Sequence, residues 1–202
     1  MPEDLSKAFR RKGLECLWYL THIENLKSIL EQGILSYKRV RRSRVPYRSI
    51  ANPRVRARRR TRANGVDLHD YVPLYMVWRN PMLWVVKKQP LAYIQVSLDA
   101  ADLKGVIFSD GNAATGSTQL YEQPSDVDRL PWDVILGNRW TGSRVVDGKR
   151  KRCAEVLVPD MVETRFFQDI QCNLPTKGIN MPSQFKYCLK CDPEFRQFCE
   201  NR

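Results

Sequence analysis

Glu155 stands in a short apolar run, with Ala154 before it and Val156, Leu157 and Val158 after it. Such a run reads as a buried strand, and Pro159 ends it because proline has no N–H to continue a ladder. A carboxylate at the mouth of a buried strand is costly unless something pairs with it. Arg150, Lys151 and Arg152 lie directly behind it. One account is therefore an ion pair at the edge of a sheet, with Arg150 or Arg152 as partner. The other is a carboxylate held on a rigid strand for catalysis. Spacing alone leaves both open.

The remaining polar candidates are Tyr19, Thr21, His22 and Asn25 at one junction, His69 and Asp70 at a second, the Asp110 turn, and the arginines. Cys188-x-x-Cys191 with Cys199 supplies three thiols, but both histidines, His22 and His69, lie far upstream. A zinc site would lack its fourth ligand, and no metal is expected. The other cysteines, Cys16, Cys153 and Cys172, are scattered through a chain long enough to build its own core. Reduced thiols in a cytoplasmic protein are the expectation. There is no Gly-x-Gly-x-x-Gly fingerprint, no phosphate loop, no serine in a nucleophile elbow, and no second carboxylate placed for glycoside hydrolysis.

Stepping outward, the elements that must hold these groups follow from apolar spacing. Residues 1–13 are polar and read as a frayed helix or tail. Leu14 to Leu20 reads as a first buried strand. Thr21 follows as a helix cap, with Glu24 in the capping-box position. Ile23, Leu26, Ile29 and Leu30 recur at helical pitch, and Gly33 supplies the stop. Leu68 to Trp78 and Leu91 to Leu98 read as strands, with an apolar segment from Leu83 between them. Val106-Ile107-Phe108 is a short strand running into the turn Ser109-Asp110-Gly111-Asn112. Residues 122–150 form a long loop with one helix near Trp132–Leu136, and loops of that length are commonly functional. Trp18, Trp78 and Trp84 read as core. One domain is expected over 1–202, with a core at about 14–172 and an irregular tail at 173–202.

Charge narrows the partners. The chain of 202 residues has 34 basic and 22 acidic side chains, a net charge of +12, with 43% hydrophobic residues. That excess suits a polyanion, nucleic acid before an anionic membrane. No stretch approaches the roughly 20 apolar residues of a membrane span. Between Gln32 and Val66 there is no acid, while Lys38, Arg39, Arg41, Arg42, Arg44, Arg48, Arg54, Arg56, Arg58, Arg59, Arg60 and Arg62 all fall there. Val45-Pro46-Tyr47 and Ile50-Ala51-Asn52-Pro53 interrupt the run, and Val55 to Arg59 continues at helical pitch, so an ordered insertion with a short helix is expected.

The motifs occur in an order that resembles a known family. Trp18-Tyr19-Leu20-Thr21-His22-Ile23-Glu24-Asn25-Leu26, with Ile29, Leu30 and Gly33, is similar to the opening motif of the DarT family of bacterial DNA ADP-ribosyltransferase toxins. Ile50-Ala51-Asn52-Pro53 with Arg58-Arg59, His69-Asp70-Tyr71-Val72-Pro73-Leu74-Tyr75, Arg79-Asn80-Pro81-Met82, Phe108 to Ala113, and Lys151 to Val158 follow in the family's order. The resemblance covers roughly residues 16–170.

That resemblance implies an α+β ADP-ribosyltransferase fold: two small twisted sheets with helices around a cleft for NAD. It implies Glu155 as the catalytic carboxylate, orienting a ribose hydroxyl and stabilising an oxocarbenium-like cation without metal or covalent nucleophile. Arg58 would be the catalytic arginine, with Arg48 the runner-up. Tyr19, Thr21, His22, Asn25, Arg48, Tyr75 and Met82 would meet NAD. Arg54, Arg56, Asn112, Arg150 and Arg152 would meet single-stranded DNA, the acceptor. A macrodomain antitoxin, DarG-like, would be the protein partner of a cytoplasmic toxin. Two departures bear on detail: Tyr19 stands where members often have His, and Gly111-Asn112 stands where thymidine-modifying members commonly show Gly-His. The second favours guanine over thymine as acceptor. The basic segment Lys38–Arg44 has no counterpart in the family pattern. Outside the family, the arginine run alone would also suit a nucleic-acid-binding module without catalysis, or a transferase acting on RNA or protein.

Overall fold

The computed structural model describes residues 4–59, 65–143, 145–174, 189–190 and 197. Helix α1 (Leu5–Arg11) precedes strand β1 (Cys16–His22), and helix α2 (Leu26–Gln32) leads to the two-residue strand β2 (Ile34–Leu35). The arginine-rich stretch carries α3 (Tyr37–Ser43) and α4 (Pro53–Arg58). Then come β3 (Tyr71–Tyr75), α5 (Pro81–Val86), β4 (Leu91–Ser97), β5 (Ile107–Ser109) and β6 (Leu120–Tyr121). The long loop holds α6 (Trp132–Ile135) and α7 (Gly148–Lys151), after which β7 (Glu155–Pro159), β8 (Met161–Val162), β9 (Phe167–Cys172) and β10 (Leu189–Lys190) complete the fold.

Eight strands form one sheet in the order β10-β9-β4-β1-β3-β7-β5-β6, and β2 pairs with β8 apart from it. The expectation of two small sheets takes a specific form here. β1 and β4 pair antiparallel along all seven residues, from Cys16 opposite Ser97 to His22 opposite Leu91. β3 and β7 pair antiparallel from Tyr71 opposite Pro159 to Tyr75 opposite Glu155. Between these two halves the register pairs Trp18 with Tyr75 and nothing further. The sheet is thus two four-stranded halves joined at one rung, and they splay on one side of it.

Apolar periodicity accounts for most of this. Val156, Leu157 and Val158 of β7 are fully buried, as are Leu91, Ala92, Tyr93, Ile94 and Val96 of β4. Each aliphatic side chain buried in this way contributes about 1.5–3 kcal/mol over leaving it in water. On α2, Leu26, Ile29 and Leu30 face the same core. Gly33 ends α2 at φ 84°, where a Cβ would lie 2.5 Å from the Val162 carbonyl oxygen, so the β2–β8 pairing requires glycine there.

Several local expectations need correction. The N-terminal stretch is neither frayed nor peripheral: Leu5, Ala8 and Phe9 of α1 are buried, and Phe9 packs edge-on against Phe108 with ring centroids 5.4 Å apart. Asp102 accepts from the Ser6 backbone at 2.8 Å and Asp99 pairs with Arg10 at 2.6 Å, which moors the helix. Thr21 is not the cap after β1. His22 is, through Nδ1 accepting from the Glu24 backbone at 3.2 Å. The apolar segment from Leu83 is helix α5, capped by the Asn80 side chain at the Leu83 N–H with Pro81 in the first turn. Trp84 is not core but 47% exposed. The described core also extends past residue 172. Asn173 is buried, accepts from the Leu91 N–H at 2.8 Å and donates to the Gln89 carbonyl at 2.9 Å. Cys188, Cys191 and Cys199 lie outside the described residues, as does most of the expected tail. Among the described residues no group of His, Cys, Asp or Glu is arranged to hold a metal, and no helix is long and apolar enough to cross a membrane.

Truncating Phe9 to alanine removes a ring packed against Phe108 and Trp132. Urea denaturation is expected to show a loss of about 3–5 kcal/mol, as for other buried phenylalanines. A peripheral helix would cost less than about 0.5 kcal/mol for the same change.

Candidate active site

Where the two halves of the sheet splay, a cleft of about 220 Å³ opens, and Glu155 reaches it from the first position of β7. The carboxylate is 1% exposed. Its Oε2 accepts from Arg59 Nη2 at 3.0 Å, and its Oε1 from Arg59 Nη1 at 3.3 Å and from the Ala113 backbone N–H at 3.2 Å. A two-pronged guanidinium contact fixes both oxygens in one plane. The bland partners, Arg150 and Arg152, do not touch it. Burial opposes the charge of Arg59, but the facing Glu155 more than offsets this and holds the guanidinium pKa above its ordinary value. Tyr75, opposite Glu155 in the ladder, is pushed well up, first by burial and then by that same carboxylate, and stays a neutral phenol.

Backbone contacts complete the cradle. Ser109 Oγ accepts from the Glu155 N–H at 3.1 Å and donates to the Gly111 carbonyl at 2.7 Å. The turn after β5 is thereby fastened to the catalytic strand, which is why the Ala113 N–H arrives at the carboxylate. Arg150 fastens the turn from the other side. Its Nη1 donates to Asp110 Oδ1 at 2.7 Å and to Thr118 Oγ1 at 3.1 Å, its Nε pairs with Asp147, and its carbonyl accepts from the Asn112 N–H at 3.0 Å. Gly111 passes so close that a Cβ would lie 2.5 Å from Arg150 Nη1 and 2.8 Å from its carbonyl oxygen.

The sequence-derived residues fall into three groups. Tyr19, Thr21, Asn25, Arg48, Arg56, Tyr75, Met82 and Asn112 all line the cleft with Glu155. Asn25 is the linchpin at the strand–helix junction. Its Nδ2 donates to Thr21 Oγ1 at 3.0 Å and to the Arg48 carbonyl at 2.9 Å, and its Oδ1 accepts from the Arg48 N–H at 2.7 Å. The Arg48 guanidinium meets Glu24 at 3.0 Å on the rim, both side chains being mostly exposed. Burial pushes the Tyr19 phenol up to about 12.

A second group does not reach the cleft. His22 is 1% exposed and is not among the lining residues; its Nδ1 is used as a cap and its Nε2 has no described partner. Burial lowers its pKa. Arg54 is exposed on α4, outside the cleft. Arg150 and Arg152 are corrections, because neither guanidinium is available to a phosphate. Arg150 is committed to Asp110 and Asp147 with 11% of its side chain exposed. Arg152 is 8% exposed and donates to the carbonyls of Arg79 at 2.9 Å, Val134 at 3.1 Å, Ile135 and Gly137 at 2.8 Å. It binds the long loop to the strand that carries Glu155. The third group is Arg58: its backbone ends α4, and its side chain lies outside the described residues.

Sequence reasoning missed Arg59, Ala113 and the work of His69. Arg59 was one cation in a run, and the phase of α4 decides which of them turns inward. His69 Nε2 lies 3.0 Å from the Arg56 carbonyl, which can only accept, so that nitrogen carries the proton. Beside it, Lys38 pairs with Asp70 at 2.7 Å and Asp67 at 3.0 Å, and the Tyr37 ring lies 4.6 Å from the His69 ring. Helices α3 and α4 are therefore tied to the turn before β3 and form one wall of the cleft.

Comparison with known proteins agrees with this geometry. The family model for DarT, described as ssDNA thymidine ADP-ribosyltransferase, matches residues 18–177. A fusion protein of Thermosipho africanus, DNA ADP-ribosyl transferase joined to DNA ADP-ribosyl glycohydrolase, is 33% identical over 162 residues, covering 76% of this chain and 41% of its own length. This chain thus spans less than half of that relative. The structure of Thermosipho africanus DarTG in complex with ADP-ribose superposes with a TM-score of 0.73 at 28% identity, over 90% of this chain and 51% of that one. Thermus sp. 2.9 DarT in complex with ADP-ribosylated ssDNA gives a TM-score of 0.68 at 26% identity, over 79% and 82% of the two chains. The same protein in complex with NAD+ gives 0.64 at 25%, over 80% and 83%.

Asn25→Ala removes the three bonds that hold Thr21 and Arg48 to the junction. Hydrogen–deuterium exchange is expected to accelerate at the Arg48 amide and its neighbours while the β1–β4 amides keep their protection. Each lost bond contributes about 1 kcal/mol, so a roughly fivefold or greater acceleration is the expected scale.

Proposed function

The chain belongs to the DarT family, and we propose that it transfers ADP-ribose from NAD to a base of single-stranded DNA, releasing nicotinamide. One observation carries the reading: a fully buried carboxylate, held in one plane by Arg59 and the Ala113 N–H, facing an aromatic-walled cleft of suitable size.

The chemistry fits what these residues can do. NAD supplies the ADP-ribosyl group, and its nicotinamide–ribose C–N bond breaks with the electron pair leaving on nicotinamide. Glu155 accepts a hydrogen bond from a ribose hydroxyl and stabilises the positive charge that grows on the sugar. Arg59 keeps the carboxylate in register and supplies a cation beside the cleft for the pyrophosphate. Tyr19, Tyr75 and Met82 give apolar contact and exclude water. A nitrogen of the base then bonds to the ribose carbon and loses its proton to the Glu155 carboxylate. Tyr19, Thr21, Asn25, Arg48, Arg59, Tyr75 and Met82 are the proposed NAD residues. Asn112, Arg54 and Arg56 are the proposed DNA residues. Arg58 gives up the catalytic role to Arg59, the arginine that meets Glu155.

For the acceptor we propose guanine. The family description names thymidine, and Asn112 is the residue that departs from that pattern. Its Oδ1 is taken by the Ala114 N–H at 2.9 Å, which leaves its amide N–H groups as donors, complementary to the O6 and N7 acceptors of guanine. The protein would act as a toxin, opposed by an enzyme that removes the mark. Support for that partner is the fused DNA ADP-ribosyl glycohydrolase half of the Thermosipho africanus relative.

Mass spectrometry of nucleosides from oligonucleotides treated with the protein and NAD is expected to show one added ADP-ribose, on guanosine. Label on thymidine would refute the acceptor, and label on RNA or protein with DNA untouched would refute the reading. Glu155→Gln keeps the shape of the side chain and should lower the rate by about 10³-fold, the upper end for losing one preorganised electrostatic contact. Glu155→Ala is expected to abolish transfer and also to destabilise the fold by about 3–5 kcal/mol, since it leaves Arg59 buried without its partner.

A further inference from the structure

Resting on the proposal that DNA is the acceptor, we infer that the outer face of α5, centred on Trp84, is a second contact surface for the single strand flanking the target nucleotide. The helix sits against the cleft. Met82 lines it, the Met82 backbone donates to the Cys153 thiol two residues before Glu155, and the Arg79 carbonyl accepts from Arg152. Leu83 and Val86 face the core. The face left outward carries Trp84, 47% exposed, and Val85, 77% exposed, one turn from the cleft wall.

An apolar pair this exposed costs free energy unless something covers it, and three features identify the cover. The Lys87 ammonium lies 4.4 Å from the centroid of the Trp84 ring, and Lys88 is exposed beside it. Arg79, exposed at the other end of the helix, lies 4.7 Å from the Trp78 ring. From Tyr71 to Leu98 there is no acidic residue. Aromatic rings interleaved with cations, on a face free of carboxylates, match the way single strands are held: bases stack on rings while phosphates track the positive charge. A protein partner covering Val85 and Trp84 would instead bring acids to these cations or more apolar area than two side chains offer.

The test compares a 12-mer with a tetramer, each containing the acceptor base, by fluorescence anisotropy without NAD and by turnover with it. Trp84→Ala is expected to weaken binding of the 12-mer about tenfold, the scale of one lost base–ring stack, and Trp84→Phe should restore most of it. Turnover of the tetramer and the KM for NAD should not move. Replacing Lys87 and Lys88 by serine should flatten the plot of log affinity against log salt by roughly 1.4, about 0.7 for each phosphate contact. Equal losses on both oligonucleotides, or none on either, would overturn the inference, as would Trp84→Ala dissolving a self-associated form without changing DNA binding. A wild-type protein that binds the 12-mer through Trp84 yet leaves it unmodified would refute the transferase reading and not this surface.

Discussion

A carboxylate with 1% of its surface exposed must be matched in charge and in hydrogen bonds, and the Glu155–Arg59 fork is that match. Such a pair adds little net stability, because desolvation consumes most of the attraction. What it supplies is position. Glu155 belongs to β7 in one half of the sheet, whereas Arg59 closes α4 in the arginine-rich segment. Two other fasteners hold that segment: Asn25 at Arg48 and His69 at the Arg56 carbonyl. Together they bring a stretch without much core of its own over the cleft.

The cations of this chain divide by what they have already been used for. Arg150 and Arg152 complete the site from behind, one clamping the turn that brings Ala113 forward, the other gathering carbonyls of the long loop. Lys38 and Arg39 are taken by Asp67, Asp70 and Asp160, which fix α3. Net positive charge is therefore a poor guide to where a polyanion lies. Exposure and partners, side chain by side chain, are the better one.

The strands were legible because their apolar runs are long: β4 and β7 lie where alternation and burial put them. The first helix was not, since Leu5, Ala8 and Phe9 are three apolar positions among Lys7, Arg10, Arg11 and Lys12, and only Phe108 and Trp132 show what they pack on. The two-residue strands β2 and β8 carry too little pattern to be read. In the site, Glu155 was found from its odd surroundings, and the lining residues from motif order. The choice between Arg58 and Arg59 was not available locally, because it depends on helix phase against a strand nearly a hundred positions away. Trp84 was read as core because composition cannot say on which side of a short helix an indole will fall.

β1 and β3 share the single rung Trp18–Tyr75, and each is otherwise paired along one flank only. The sheet therefore contains two edges in its own interior, facing each other across the crevice. An open edge ordinarily invites a foreign strand to add to it, with aggregation as the outcome. Here α4 and the Arg48–Ala51 segment lie over the opening, with Arg59 bolted to its floor. The same roof that shapes a substrate cleft thus guards the molecule against strand invasion, so residues chosen for chemistry also bear on solubility.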